Sequence, residues 1–451
     1  MNQQHLFNYS KSYTVLKKYT AFIQSIYYRE ICIINRETIP DNDPVIFTPN
    51  HQNALMDALS ILLNIKKQPV FMARADIFKK ELVKKILTFL KIIPVFRIRD
   101  GVSNLSQNDE SFNIALNVLK SGQAVGIMPE GNHGDQHRLR PLKKGISRLA
   151  FKAQEEFGKT GRLKIVPVGI EYSHYSNFRS RLLIIFGNPI DVSEYSALYT
   201  DNPKQALNLL RETLAKELKK YMIDIDSDEY YDLIFNIKEL YGGRLQQKQN
   251  LKDDFYGRFL AEKQITDELI KTAYHNPIIL EEFKPLVNEY LSGLKRLNLR
   301  NWVFDTSKPP KKEIYFDIVR YVLFIPLFVT ATAVNIIPYI ICDKFSKRTK
   351  DTQFVSSFKF AVGLILFPLW YLLLMLMPIP IITKGLILLT MPILGILSFD
   401  YFLSLKKVYA QYRYFKMLKE HNYELTGLRE KRNELMQKLD GMFIQNGNTL
   451  K

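Results

Sequence analysis

From about residue 44 to 190, short apolar runs alternate with stretches of helical period. The apolar runs are VIFTP, VFMAR, IPVFR, AVGIMP, KIVPVGIEY and LLIIFGNP, each bounded by Pro, Gly or a charge. Between them, residues 53–65, 77–91, 107–120 and 143–157 carry apolar positions three and four apart. Short apolar segments separated by helices predict an α/β fold, a mostly parallel mixed sheet flanked by helices. In such a sheet, sites form beyond the carboxyl ends of the strands. His51, Arg97, Arg99 and Glu130 all stand at or just past the end of an apolar run.

The remainder of the chain reads differently. Residues 10–30 interleave Tyr, Leu, Ile and Phe with Lys17, Lys18 and Arg29, the pattern of an amphipathic helix packed on a domain. Residues 200–300 are charged and helical by pattern, with a break at Gly242-Gly243. Charge then vanishes over 321–341 and 361–383, and over 385–399 after Lys384. About 20 apolar residues span a bilayer core, so these segments predict membrane helices. The expected divisions are 1–40 (helix and lead-in strand), 41–225 (α/β domain), 226–312 (helical appendage), 313–405 (membrane region) and 406–451 (cytosolic basic helix).

Basic segments flank the apolar runs: Lys308, Lys311, Lys312 and Arg320 before the first, Lys344, Lys347, Arg348, Lys350 and Lys359 after it, and Lys406, Lys407 and Arg413 in the tail. Short basic segments stay cytoplasmic. The pattern therefore predicts a hairpin over 361–403 turning near Pro378-Ile-Pro380. Residues 321–341 are expected to dip in and return, or to lie shallow, with Pro326, Asn335 and Pro338 breaking the helix. The α/β domain would face the cytoplasm from the cell membrane.

Composition narrows the partners. With 63 Lys and Arg against 45 Asp and Glu, the net charge is +18. That favours an anionic partner, and the absence of helix-turn-helix, finger or ribonucleoprotein patterns points to lipid surfaces or phosphorylated substrates rather than nucleic acid. Cys32 and Cys342, the two cysteines, give neither a disulfide framework nor metal spacing, so a reducing compartment is expected. The first thirty residues do not read as a secretory signal.

Three motifs carry candidate chemistry. In TPNHQNALMDAL, His51 leaves a strand and Asp57 follows one to two turns into a helix. A carboxylate that holds one ring nitrogen frees the other as a base. A polar loop would read the same way on this motif alone. In GIMPEGNHGD, Glu130 and Gly131 break a strand, and the glycine lets backbone approach a ligand. His133, Asp135 and His137 alternate in one loop, a poor metal shell, and no metal is expected. In IPVFRIRDG, Arg97 and Arg99 share one face of an extended segment and could fork phosphate oxygens, or lie solvated at a strand end.

Taken in order, NHQNALMD, PVFRIRDG, MPEG and IVPVGI resemble the four motifs of the glycerolipid acyltransferase family over roughly residues 40–195. Five residues separate His51 from Asp57 where the family usually has four, which resembles the membrane-bound branch acting on glycerol phosphate and dihydroxyacetone phosphate. Met128 stands where Phe is usual, and Asn132 where Thr or Ser is. The resemblance implies His51 as general base, Asp57 as its partner, Arg97 and Arg99 on the acceptor phosphate, Glu130, Gly131 and Asn132 lining the acceptor site, and Pro167 shaping the fourth strand end. It implies an acyl thioester donor, as acyl-coenzyme A or acyl carrier protein, a phosphate-bearing glycerolipid acceptor, membrane lipid as partner, and no cofactor. With no Ser or Cys beside His51, direct transfer is expected, with backbone N–H groups near residues 50–53 as oxyanion donors. Another hydroxylated lipid acceptor, or a non-catalytic scaffold binding anionic lipid, is the alternative.

Overall fold

The computed structural model describes residues 4–96, 107–134, 136–158, 161–305, 311–349 and 351–444. The chain forms two compact units. One comprises residues 1–224 together with 349–360, the other 225–348 together with 361–451.

Among the described residues, the first unit holds eight strands: β1 (Glu30–Ile34), β2 (Val45–Pro49), β3 (Val70–Arg74), β4 (Ile92–Val95), β5 (Val125–Ile127), β6 (Lys164–Tyr172), β7 (Arg181–Phe186) and β8 (Ile190–Asp191). Its helices are α1 (Gln4–Phe7), α2 (Lys11–Tyr27), α3 (Leu55–Asn64), α4 (Glu81–Phe89), α5 (Gln107–Lys120), α6 (Gly145–Phe157), α7 (Ser196–Asp201) and α8 (Pro203–Lys220). The strands form one sheet in the order β1-β7-β6-β2-β5-β3-β4, with β8 beside β6. Only the pairings of β6 with β7 and with β8 are antiparallel. This is the mostly parallel mixed sheet that the alternation predicts.

Burial on both faces explains why the strands read as continuous apolar runs. Ile46 of β2 faces a core shared with α5, α6 and α8, while its neighbours Val45 and Phe47 face a second core shared with α3. After β2 the chain moves toward the β4 edge; after β5 it returns past β2 to β6. The carboxyl ends of β2 and β5 therefore border the reversal of winding, where such sheets bind ligands. The expected helix over 77–91 is shorter, Glu81–Phe89, and residues 75–78 form a separate tight turn.

Pro167 lies inside β6 rather than at its end, opposite Thr48. A proline cannot donate to the ladder, so it needs a place where no acceptor waits. Residues 164–165 pair with β8 and 168–172 with β7, and Pro167 falls in the gap between them. Its carbonyl accepts from Gly187 N on that side at 2.8 Å.

The second unit holds α9 (Tyr231–Lys248), α10 (Phe255–His275), α11 (Pro277–Arg296), α12 (Lys311–Ser346), most of α13 (Val355–Leu374), α14 (Ile381–Lys419) and α15 (Tyr423–Phe443). The C-terminal helix α15 is not a free basic helix. It buries Leu425, Leu428, Leu435 and Leu439, a stripe at helical spacing. Its Asp440 receives Arg244 through two nitrogens and Tyr241 Oη at 2.8 Å, which ties α15 to α9.

Among the described residues, three helices are long and apolar enough to cross a membrane: Val319–Ser346, Thr352–Leu374 and Ile381–Lys419. The expected break of the first at Pro326, Asn335 and Pro338 does not occur, and α12 runs unbroken through all three. Pro338 has no N–H for the carbonyl of Val334, four residues earlier. That carbonyl accepts from the indole Nε1 of Trp370 instead, at 2.9 Å. A satisfied carbonyl removes one cause of a break. The expected turn after the second apolar segment is present, since α13 ends at Leu374 and α14 begins at Ile381.

Candidate active site

His51 sits two residues past β2, and β2 is flanked by β5 and β6. Its Nδ1 lies 2.9 Å from Asp57 Oδ2. A carboxylate only accepts, so Nδ1 carries the proton and Nε2 is the basic nitrogen. Asp57 is in the first turn of α3, where the helix dipole favours an anion. The same Oδ2 accepts the backbone N–H of Gln52 at 2.9 Å and of Asn53 at 2.8 Å. Oδ1 accepts the phenol of Tyr172 at 2.8 Å. Asp57 is only 1% exposed, so this ring of donors replaces the water it has lost. Burial, then the charge of Asp57, holds the Tyr172 phenol well above its usual pKa, and it remains a donor.

The expected oxyanion donors near residues 50–53 are already engaged. Asn50 N donates to Val168 O, His51 N to Glu130, and Gln52 N and Asn53 N to Asp57. A carboxylate at the start of α3 captures the amides that the loop would otherwise offer. The Asn50 side chain is engaged as well: its Oδ1 accepts Ile170 N at 2.7 Å and its Nδ2 donates to Ile170 O at 3.0 Å. It extends the β2–β6 pairing beyond the strand and fixes where His51 leaves the sheet.

Glu130 comes to His51 because β5 pairs with β2. Its two oxygens accept His51 N at 2.8 Å and Arg140 N at 3.1 Å. The carboxyl is thus turned toward the backbone and braces the His51 loop. Burial raises its pKa to about 7, against the pull of these two amides. Gly131 adopts φ +69°, a left-handed turn, and an added Cβ would stand 3.0 Å from Lys143 Cγ. Asn132 is half-buried in the same turn. Arg97, Arg99 and Asp135 lie outside the described residues.

The two loop histidines part company. The His137 ring lies beside Tyr175, and its Nδ1 is 3.5 Å from Glu171. The His133 ring meets His51 edge-on at 5.6 Å between centroids and Phe354 at 4.8 Å. It is 8% exposed, and neither nitrogen has a hydrogen-bond partner. Burial and the neighbouring His51 push its pKa below the usual histidine range, so the ring is neutral.

Sequence reasoning missed Tyr172, Tyr175 and the connector at 351–360. The phenol of Tyr175 donates to Gln52 Oε1, and Asn53 Nδ2 donates to the Tyr175 carbonyl at 3.2 Å. Tyr172 closes the apolar run KIVPVGIEY with a polar tip, which is the one signal that could have found it. Nothing in the local sequence of residues 351–360 ties them to His51.

The acyltransferase family profile matches residues 30–171, which contain His51, Asp57, Glu130 and most of the sheet. The match covers about a third of the chain, which over these residues is similar to the glycerolipid acyltransferases. It is similar to glycerol-3-phosphate O-acyltransferase 2 of Saccharomyces cerevisiae, 26% identical over 288 residues, which cover 58% of this chain and 37% of that protein. It is similar also to a chloroplastic 1-acyl-sn-glycerol-3-phosphate acyltransferase of Arabidopsis thaliana, 27% identical over 195 residues, 42% of this chain and 51% of that one. The chain therefore spans about a third to a half of the length of these relatives. A solved 1-acyl-sn-glycerophosphate acyltransferase from Thermotoga maritima overlaps 46% of this chain and 79% of its own, at 19% identity and a TM-score of 0.33.

Proposed function

We propose that this acyltransferase moves a fatty acyl group from an acyl thioester to a hydroxyl of glycerol-3-phosphate or 1-acyl-glycerol-3-phosphate, in phospholipid synthesis. The observation that carries the reading is the His51–Asp57 pair at the end of a central strand, inside a domain of this family. The acceptor hydroxyl attacks the thioester carbonyl while His51 Nε2 takes its proton. Asp57 steadies the imidazolium that forms, and Tyr172, Gln52 and Asn53 hold Asp57 in place. As the tetrahedral intermediate collapses, the C–S bond breaks and the imidazolium returns the proton to the thiolate. A positioned base of this kind contributes about 10²- to 10⁴-fold. The step changes no oxidation state and the acyl thioester is a co-substrate, so it requires no cofactor.

In this reading Arg97 and Arg99 bind the acceptor phosphate, and the turn at Gly131 and Asn132 borders it. Purified protein in lipid, given labelled acyl thioester with a panel of glycerol-3-phosphate, its 1-acyl derivative and unphosphorylated glycerolipids, tests the assignment. Transfer confined to unphosphorylated acceptors would overturn it.

We also propose that the catalytic unit faces the cytoplasm at the cell membrane. Two chain connections support one face for every polar part. Residues 349–360, between α12 and the rest of α13, belong to the catalytic unit, and α15 docks on α9. Both ends of α12 then lie on one side, so it rests shallow in the membrane, and α13 with the first part of α14 forms a hairpin that enters and returns. With Cys32 and Cys342 replaced, Lys347→Cys and Ala410→Cys should both resist an impermeant thiol reagent on intact cells and react after lysis. Labelling at 347 from outside would show that α12 crosses fully.

A further inference from the structure

Helix α3 carries Asp57, yet it begins without a cap of its own. The first helical residue is Leu55, and the residue before it is Ala54, which has no side-chain oxygen to receive an N-terminal amide. Ala54 also stands at φ +44°, an unfavourable conformation for a residue with a Cβ. A helix start of this kind needs help from elsewhere in the chain. Here it comes from 302 positions downstream: Leu55 N donates to Ser357 Oγ at 3.2 Å.

Ser357 does not act alone. Ser356 Oγ donates to the carbonyl of Tyr175, the same carbonyl that accepts Asn53 Nδ2. Phe354 lays its ring against His133, which in turn meets His51. Lys359 Nζ reaches the carbonyl of Ser176 at 3.2 Å, and Phe360 packs in the core beside Tyr27. Ser356 and Ser357 are buried. This connector, which joins two apolar helices in sequence, thereby touches the catalytic loop from two sides: on Leu55 directly, and on Asn53 through Tyr175.

We propose that Ser357 is a positioning residue for the His51–Asp57 pair, supplying from far along the same chain the side-chain acceptor that the start of α3 lacks and setting the first turn that presents Asp57 to His51. The inference rests on the acyl-transfer reading for its kinetic consequence and on geometry alone for its structural one. The hydroxyl accepts the first amide of the helix, one of the donors that a helix start leaves without an intrahelical partner, and a threonine can replace it.

The test compares the full-length wild type with Ser357→Ala and Ser357→Thr, each in the same lipid vesicles. Ser357→Ala should lower kcat by about tenfold, a loss in the range for misplacing a catalytic partner, while KM for donor and acceptor stay within about twofold. Ser357→Thr should restore most of the rate. Hydrogen exchange of the peptide spanning residues 50–60 should quicken in Ser357→Ala and return toward the wild-type rate in Ser357→Thr, with the β6 peptide unchanged in both. Unchanged exchange and unchanged kcat in Ser357→Ala overturn the proposal. So does an equal quickening of β6, which would mark general loosening. A wild type that transfers no acyl group, with the exchange pattern as expected, would instead remove the acyl-transfer reading and leave the cap in place.

Discussion

Two polar clusters inside this chain obey the same rule of hydrogen-bond satisfaction to different ends. In the second unit, Asn335 sits within the apolar helices. Its Nδ2 donates to Ala331 O at 2.9 Å and Met391 O at 3.2 Å, and its Oδ1 accepts Tyr371 Oη at 2.6 Å. A Cβ added at Gly395 would strike this amide at 2.8 Å, so the glycine is what lets α14 approach. The cluster is closed, with both donors and the acceptor of Asn335 engaged. In the first unit Asp57 is closed in the same way, but its neighbours are not. Both nitrogens of His133 and Oδ1 of Asn53 are buried without partners. Unpaired buried polar atoms are costly. A membrane-embedded joint avoids them, while a site that receives a ligand can carry them.

The comparison breaks first at His51. Ala in its place removes the base and leaves the closed shell around Asp57 largely intact, through Gln52, Asn53 and Tyr172. Turnover should fall about 10²- to 10⁴-fold with the protein still folded and membrane-bound. Near-normal turnover in His51→Ala would mean that the open cluster is not the catalytic one.

Glu130→Gln should act more gently and in two ways. Both carboxylate oxygens accept backbone amides, and an amide side chain can accept on one side only, so the His51 loop loses a brace. We expect kcat to fall about tenfold. Stability carries a signature in pH. The folded pKa of Glu130 is raised to about 7, above its ordinary carboxyl value, so the folded state holds the proton more tightly than the unfolded chain does. Its contribution is fully present at low pH and is lost as pH rises from about 4.5 to 7, at about 1.4 kcal/mol per pH unit. Wild type should therefore lose stability relative to Glu130→Gln as pH rises through that window. A wild type that instead gains on the variant would show that the carboxylate is stabilised in the fold.

Asn335→Ala should give the smallest effect and the cleanest contrast. Polar contacts between membrane helices contribute about 1 kcal/mol, so the melting point should drop slightly, with kcat per folded molecule unchanged. A large loss of kcat without a change in melting would erase the distinction between the two clusters.

The apolar periodicity of this sequence was enough to determine the layered sheet, the helix over Gln107–Lys120 and the long apolar helices, because burial on two faces or in lipid writes itself into local composition. The pairing of His51 with Asp57 was legible for the same reason, since six residues across one strand end is a local distance. Tertiary structure alone decided the rest. Glu130 meets His51 only because β5 lies beside β2. The amides of residues 50–53 are engaged rather than free because Asp57 turns back on them. α12 stays whole at Pro338 because Trp370, from another helix, takes the carbonyl that the proline abandons. Ser357 caps a helix that begins three hundred residues earlier. Except for the Asp57 contacts, each of these is a hydrogen bond between groups distant in sequence. A backbone amide or carbonyl carries no side-chain signature of its partner, and only the folded chain can say where that partner is.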